Sequence, residues 1–288
     1  MENDAEFAWV TCKVNGGPKR EICPMKIATW NINSVRLRQS LVQKLLKAEQ
    51  PDVLCLQETK VINDLFPAEA FAKLGYVHQA IHGQKGYHGV AVLSRLPFRE
   101  TAPSSFCGKD DCRHMRVVLE NGVELHNFYV PAGGDIPDPK TNPKFAHKLD
   151  FLREMAARFE KRKDGKRAPV ILVGDLNVAP LENDVWSHKQ LLDIVSHTPV
   201  ETGLLGEVQS AFDWIDVTRS FVPEDEKIYS WWSYRAQDWK ASDRGRRLDH
   251  IWVSQALKGA ATSHTILKAA RGWKQPSDHV PVVVTFDA

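Results

Sequence analysis

Five short stretches of this chain set oxygen- or imidazole-bearing side chains where an apolar run stops or starts. Val170-Ile171-Leu172-Val173 ends in Gly174-Asp175-Leu176-Asn177. Ala28-Thr29-Trp30 runs into Asn31-Ile32-Asn33, and Val53-Leu54-Cys55-Leu56 into Gln57-Glu58-Thr59. Arg247-Leu248-Asp249-His250 and Ser277-Asp278-His279 open two further runs. Side chains alternate in an extended segment, so Asp175 and Asn177 point the same way. A polar pair at the end of a buried strand costs free energy unless it is hydrogen-bonded or holds an ion. Taken singly, each stretch is also what a turn or a cap looks like. Five together imply that strand ends converge on one polar site. The donors Glu58, Asp278, Asn31 and Asp175 are all oxygen-bearing, which suits a hard ion such as Mg²⁺ or Mn²⁺ better than zinc. With His279 and a water-activating carboxylate, these are the parts for metal-assisted phosphodiester hydrolysis.

Such a site needs a regular frame. Short β-branched or apolar runs bounded by Gly, Pro, Asn or Asp predict strands at 26–32, 52–58, 88–95, 115–120, 123–131, 169–175, 247–254 and 281–287. Helical spacing appears at 34–49, where Leu37, Leu41, Leu45 and Leu46 share a face. It recurs at 144–162 through Phe145, Leu149, Leu152, Met155 and Phe159. Residues 182–193 and 208–216 give weaker helical patterns. The elements interleave without a shift in composition, so one α/β domain is expected over 25–288, behind a poorly ordered extension at 1–24. The proline-rich stretch 131–143 reads as a long loop, a common place for function.

Composition narrows the classes. The chain has 288 residues, 43% hydrophobic and 26% charged, enough for a substantial core. It has no apolar stretch of membrane-spanning length and no signal-peptide pattern. Five scattered cysteines fit a reducing, cytoplasmic setting. Cys107 and Cys112, near His114, lack the second half of any zinc pattern and read as loop residues. Net charge is only +2, but Lys161–Arg167 and Arg244-Gly245-Arg246-Arg247 are basic clusters. The first reads as a solvated loop; the second follows Trp231, Trp232 and Tyr234.

Seven ordered motifs resemble the exonuclease III family of AP endonucleases, within the endonuclease–exonuclease–phosphatase superfamily, over residues 25–288. They are Thr29-Trp30-Asn31-Ile32-Asn33, Leu54-Cys55-Leu56-Gln57-Glu58-Thr59-Lys60, Gly86-Tyr87-His88-Gly89-Val90-Ala91, Tyr129-Val130-Pro131, Gly174-Asp175-Leu176-Asn177-Val178-Ala179, Arg247-Leu248-Asp249 and Ser277-Asp278-His279. Each alone is weak; seven in order are specific. The resemblance implies a DNase I-like four-layered α/β sandwich, two face-to-face β-sheets flanked by helices, with the site at one edge. It implies a Mg²⁺-dependent DNA repair phosphodiesterase (Mn²⁺ substituting), cutting 5′ to abasic sites or removing 3′ nucleotides and blocking groups. The implied partner is double-stranded DNA with abasic sites, nicks or 3′ ends, and a monomer is the default expectation.

The resemblance also carries roles. Glu58 becomes the principal metal ligand, with Asn31, Asp278, Asp175, Asn177 and His279 in the polar shell. Asp175 orients or deprotonates water, Asn177 holds the phosphate, and Tyr129 contacts the phosphate or leaving oxygen. Asp249 pairs with His279 and favours its cation. Trp231 and Trp232 match the segment that walls the abasic-sugar pocket, although packing in the core is the ordinary fate of one of them. Arg113, Lys240, Arg244, Arg246 and Arg247 are expected on DNA. The chain departs from the family at Ala132, where many members carry an amide. His188 is a second candidate for preference between DNA ends. Two other readings stand beside this one: a phosphoesterase for inositol phosphates or phospholipid headgroups, and a catalytically dead binding protein. The presence of Asn31, Glu58, Asp175, Asn177, Asp249 and His279 argues against the latter.

Overall fold

The computed structural model describes residues 24–162, 168–236 and 238–287. Most of the expected extension, and Lys163–Arg167 of the first basic cluster, lie outside the described residues. The strands are β1 (Pro24–Asn31), β2 (Val53–Gln57), β3 (His78–His82), β4 (Val90–Ser94), β5 (Phe98–Pro103), β6 (His114–Leu119) and β7 (Glu124–Tyr129). They continue with β8 (Val170–Asp175), β9 (Ile215–Asp216), β10 (Trp231–Trp232), β11 (Gly245–Arg246), β12 (Asp249–Val253), β13 (Ala261–Ile266) and β14 (Val282–Asp287). The helices are α1 (Gln39–Glu49), α2 (Ala68–Ala72), α3 (Pro143–Glu160), α4 (His188–Leu191), α5 (Pro199–Ala211), α6 (Val217–Phe221) and α7 (Trp239–Ser242).

Two six-stranded sheets form, in the orders β13-β14-β1-β2-β4-β3 and β5-β6-β7-β8-β12-β9. Central strands such as β2, β4 and β8 are buried throughout, which is why they read as unbroken apolar runs. An apolar core that includes Ile27, Val53, Val92, Val117, Leu125, Ile171, Ile251 and Val284 fills the space between the sheets. Leu41, Val42, Leu45 and Leu46 of α1 cover the outer face of the first sheet. The outer face of the second packs on Phe145, Leu149, Leu152, Met155 and Phe159 of α3 and Leu205 and Val208 of α5. The result is helix, sheet, sheet, helix: a four-layered α/β sandwich. Burying each such side chain contributes about 1.5–3 kcal/mol.

The sequence places α1 too early. Asn33 and Ser34 have φ of 46° and 83°, so the chain turns before the helix, and Leu37 is 57% exposed. Residues 182–193 form a 3₁₀ turn at Glu182–Asp184 and the short α4 rather than one helix. Of the helix expected at 208–216 only 208–211 is helical, as the end of α5, and Ile215–Asp216 is β9. Helix α5 starts with Thr198 as N-cap, Pro199 and a capping box to Glu201.

Strand register gathers the polar ends. β1 and β2 run parallel, pairing Asn31 with Gln57. β7 and β8 also run parallel, pairing Tyr129 with Asp175, while antiparallel β12 pairs Asp249 with the same Asp175. β14 is antiparallel to β1, so the residues preceding it lie at the end of β1 where Asn31 sits. Gly174, with φ 140°, fits because it lacks a side chain: a Cβ there would lie 1.9 Å from the Phe128 carbonyl oxygen.

Candidate active site

Asn31 is the centre of the hydrogen-bond network. Its Nδ2 donates to Glu58 Oε1 at 2.9 Å and to Asp175 Oδ2 at 2.8 Å, while its Oδ1 accepts from Asn33 N at 3.0 Å. It is therefore a strut between two carboxylates, and its oxygen accepts one hydrogen bond from the backbone. Asn177, with φ 53°, is similarly tied. Its Nδ2 donates to Asp175 Oδ2 at 3.0 Å and to the Val130 carbonyl at 2.9 Å, and its backbone N donates to Asp175 Oδ1. These bonds orient Asp175 and fix the Asn177 side chain through its nitrogen.

His279 stands between two acids, with Nδ1 2.8 Å from Asp249 Oδ2 and Nε2 3.6 Å from Asp175 Oδ2. Ser230 Oγ donates to Asp249 at 2.6 Å, and Trp30 Nε1 fixes the His279 carbonyl at 3.0 Å. Burial alone would strip the imidazolium of its proton. The charges of Asp249 and Asp175 overrule it, and the histidine is pushed up to about 10. The ligand atoms of Asp175, Asp249 and His279 lie within 4.8 Å of one another, as in a metal site. A protonated imidazole has no lone pair to offer, so without a metal His279 stands as a cation between the two acids.

The carboxylates around it are pulled apart. Burial, aided by the charges of Asp249 and Glu58, raises Asp175 above the ordinary carboxylate range despite His279 and Asn31. Glu58 and Asp278 go the other way. Burial opposes their charge, but Lys60 and Asn31 hold Glu58 ionised, and His279, Asn33 and Trp231 do so for Asp278. Lys60 Nζ lies 2.7 Å from Glu58 Oε2, and Asn33 Nδ2 and Trp231 Nε1 donate to Asp278 at 3.1 and 3.0 Å. Two charged carboxylates with only oxygen donors fit a hard divalent cation; a third, proton-seeking, fits a base. The Tyr129 hydroxyl faces Glu58 and Asp175, and burial and their charges hold it protonated as a donor.

These groups line the floor of a cleft of about 760 Å³, to which Glu58, Asn177, Asp278 and His279 all contribute. Its walls carry cations laid on indole rings: Arg244 lies 4.6 Å from the Trp186 ring and Arg246 5.2 Å from Trp231. Arg113 stacks on Tyr129 at 4.8 Å and lines an adjoining cavity of about 500 Å³. Ala132 borders both cavities.

Several expected residues lie elsewhere. Arg247 is fully buried, its guanidinium on Asp184 at 2.7 and 2.8 Å and on Asp216 at 2.7 Å. It braces the entry to Asp249 and does not reach DNA. Trp232 is 1% exposed and packs with Tyr229 and Trp239, so Trp231 alone of the pair faces the cleft. His188 contacts His197 at 2.8 Å and Glu182 at 3.6 Å, not the carboxylate cluster. Lys240 is exposed on α7.

Three contributors escaped the sequence reading. Lys60 follows Glu58 by two, and Trp186 precedes His188 by two, so both had neighbours to point to them. Lys148 had none. It is fully buried in α3, ion-paired with Glu201 of α5, and donates to the Asn177 carbonyl at 2.7 Å and the Ala132 carbonyl at 3.3 Å.

A two-sheet sandwich with a buried Asp–His pair and a hard-cation cluster at one edge defines a class of phosphoester hydrolases, and comparison agrees. The chain belongs to the Endonuclease/Exonuclease/phosphatase family, which it matches over residues 28–279. Within that family it is of the exonuclease III type. It is 30% identical over 275 residues to exodeoxyribonuclease III of Haemophilus influenzae, covering 91% of this chain and all of that one. An AP endonuclease from Archaeoglobus fulgidus superposes with a TM-score of 0.84 at 32% identity, covering 92% of this chain and all of that one. A 3′ phosphatase from Neisseria, bound to a product DNA hairpin, gives 0.83 at 30% identity with the same coverage.

Proposed function

We propose that this chain is a DNA repair phosphodiesterase that cuts the backbone 5′ to abasic sites and clears 3′ ends, with Mg²⁺ as its cofactor. The observation that carries the reading is the opposed pull on neighbouring carboxylates: Asp175 is driven toward its proton while Glu58 and Asp278 are held charged. A metal held by Glu58 and Asp278 would neutralise charge developing on the phosphate. Asp175, oriented by Asn31 and Asn177, takes the proton of the attacking water. The His279 cation, fixed by Asp249, faces the phosphorane charge, a kind of stabilisation worth about 10²–10³ in rate. The Tyr129 phenol donates toward the phosphate or the departing oxygen. Arg244 and Arg246 on the cleft wall meet backbone phosphate, and Trp231 bounds the space for a baseless sugar, which flips out at little cost. The names of the relatives support DNA as substrate: an exodeoxyribonuclease, an AP endonuclease and a 3′ phosphatase.

The test is a duplex bearing one abasic analogue and, separately, a nick with a 3′-phosphate, each incubated with Mg²⁺ or EDTA. Cleavage or phosphate release that EDTA abolishes is expected. Glu58→Gln and Asp175→Asn should each lower it by about 10²–10³-fold without unfolding the chain. Absence of metal-dependent turnover on both substrates would overturn the proposal.

A further inference from the structure

Away from the catalytic cleft, three metal-binding side chains from separate segments meet. His82 ends β3, and Asp110 and Cys112 lie in the loop entering β6; one ligand atom from each falls within 4.8 Å of the others. His82 Nε2 is 3.5 Å from Asp110 Oδ1, and Nδ1 of the same ring is 3.3 Å from the His114 carbonyl. A carbonyl can only accept, so Nδ1 carries the proton and the Nε2 lone pair is left for the cluster. Metal-ligating histidines are oriented in this way, with the other ring N–H anchored on a carbonyl or carboxylate. Cys112 is more than nine-tenths buried, and its thiol makes no hydrogen bond among the described residues. The sequence offered Cys107 and His114 as its companions. The structure commits Cys107 to Glu154 and His114 to His126.

We propose that His82, Asp110 and Cys112 form a second metal site that takes Zn²⁺, with water as the fourth ligand. One sulfur, one nitrogen and one carboxylate oxygen select a borderline-soft ion, whereas the oxygen-lined catalytic cleft selects a hard one. Only tertiary folding brings the β3 end and the 107–112 loop together, so the ion ties that loop to the sheet. The tie bears on catalysis at one remove. Gly89 N donates to the Cys112 carbonyl at 3.1 Å, and the adjacent Asp111–Arg113 pair holds the guanidinium that stacks on Tyr129. The role is structural: it stiffens the wall beside Tyr129.

The full chain, stripped of metal, is titrated with Co²⁺ as a spectroscopic stand-in and then with Zn²⁺. A thiolate-to-cobalt charge-transfer band that Zn²⁺ displaces is expected. It should vanish in Cys112→Ser and persist in Glu58→Gln, since an all-oxygen site gives no such band. Asp110 is four-fifths exposed, so Asp110→Asn leaves the fold intact; it should weaken Co²⁺ affinity by about tenfold or more and remove the Zn²⁺-induced rise in Tm. A wild-type chain without the band, a band that survives Cys112→Ser, or unchanged affinity in Asp110→Asn would overturn the assignment.

Discussion

His279 keeps its proton in a buried position only because Asp249 and Asp175 supply the opposing charge. Removing the Asp249 charge should hand control back to burial, so Asp249→Asn should bring the His279 pKa down from about 10 into or below the neutral range. If the reaction uses the cation, the alkaline limb of the kcat profile moves to lower pH. The variant should then lose about 10²–10³-fold at pH 8 and recover part of that as the pH is lowered. Coincident alkaline limbs in wild type and variant would show that the His279 charge is not needed. The acids themselves were legible in the sequence because an ionisable group beside an apolar run needs a reason to be there. Arg247 and Trp232 misled, and for a shared cause. Neighbouring residues in extended backbone point opposite ways, so Trp231 and Arg246 face the cleft while Trp232 and Arg247 turn inward. A cluster of like residues in sequence is two faces in space.

Helices α3 and α5 reach the site through one buried ion pair. Lys148 props the Asn177 carbonyl and the Ala132 carbonyl, and Glu201 also accepts from Ser196 N and Thr198 Oγ1, capping its own helix. Breaking such a pair on one side leaves a bare buried charge, so Lys148→Met alone should destabilise by about 3–5 kcal/mol. Lys148→Met with Glu201→Gln should regain much of that stability. It should still turn over about 10–10²-fold more slowly, because Asn177 and the Ala132 loop lose their support. Melting curves combined with single-turnover rates separate the two effects; a stable double variant with wild-type rates would confine the pair to a packing role. No sequence pattern announced Lys148, because a lysine in a helix looks solvated until its partner in a distant helix is known. Three of the missed strands share another physical reason. β13, β3 and β5 all lie at sheet edges, with mixed polar composition and partial exposure, so no apolar run marks them. The interior strands, buried on both faces, were read within a few residues.

Across the whole molecule, buried titratable groups set a pH range for the fold as well as for the chemistry. His250 is fully buried and held as one tautomer: its Nε2 donates to the Val178 carbonyl at 2.9 Å, and its Nδ1 accepts from Arg247 at 3.1 Å. A second proton would have to face a guanidinium, and burial together with Arg247 pushes the group down to about 4. The unfolded chain binds that proton from about pH 6.5 downward, so the contribution of His250 is complete above that value and drains away toward pH 4. The loss is on the order of 3 kcal/mol. Asp184 adds a second step. Burial opposes its charge, but Arg247 and Arg219 hold it below the ordinary range, so its contribution goes only below about pH 4. His279 has the opposite sign, stabilising fully below about pH 6.5 and losing that as the pH rises toward 10. Melting temperature measured in EDTA should therefore peak near pH 6.5 and fall on both sides. His250→Gln, which keeps a donor and an acceptor but cannot titrate, should make the limb between about pH 6.5 and 4 less steep, His264 and His114 supplying the rest, while leaving the alkaline limb unchanged. An acid limb equally steep in that variant would mean that other buried histidines with lowered pKa, His264 and His114 among them, set that limb and His250 does not.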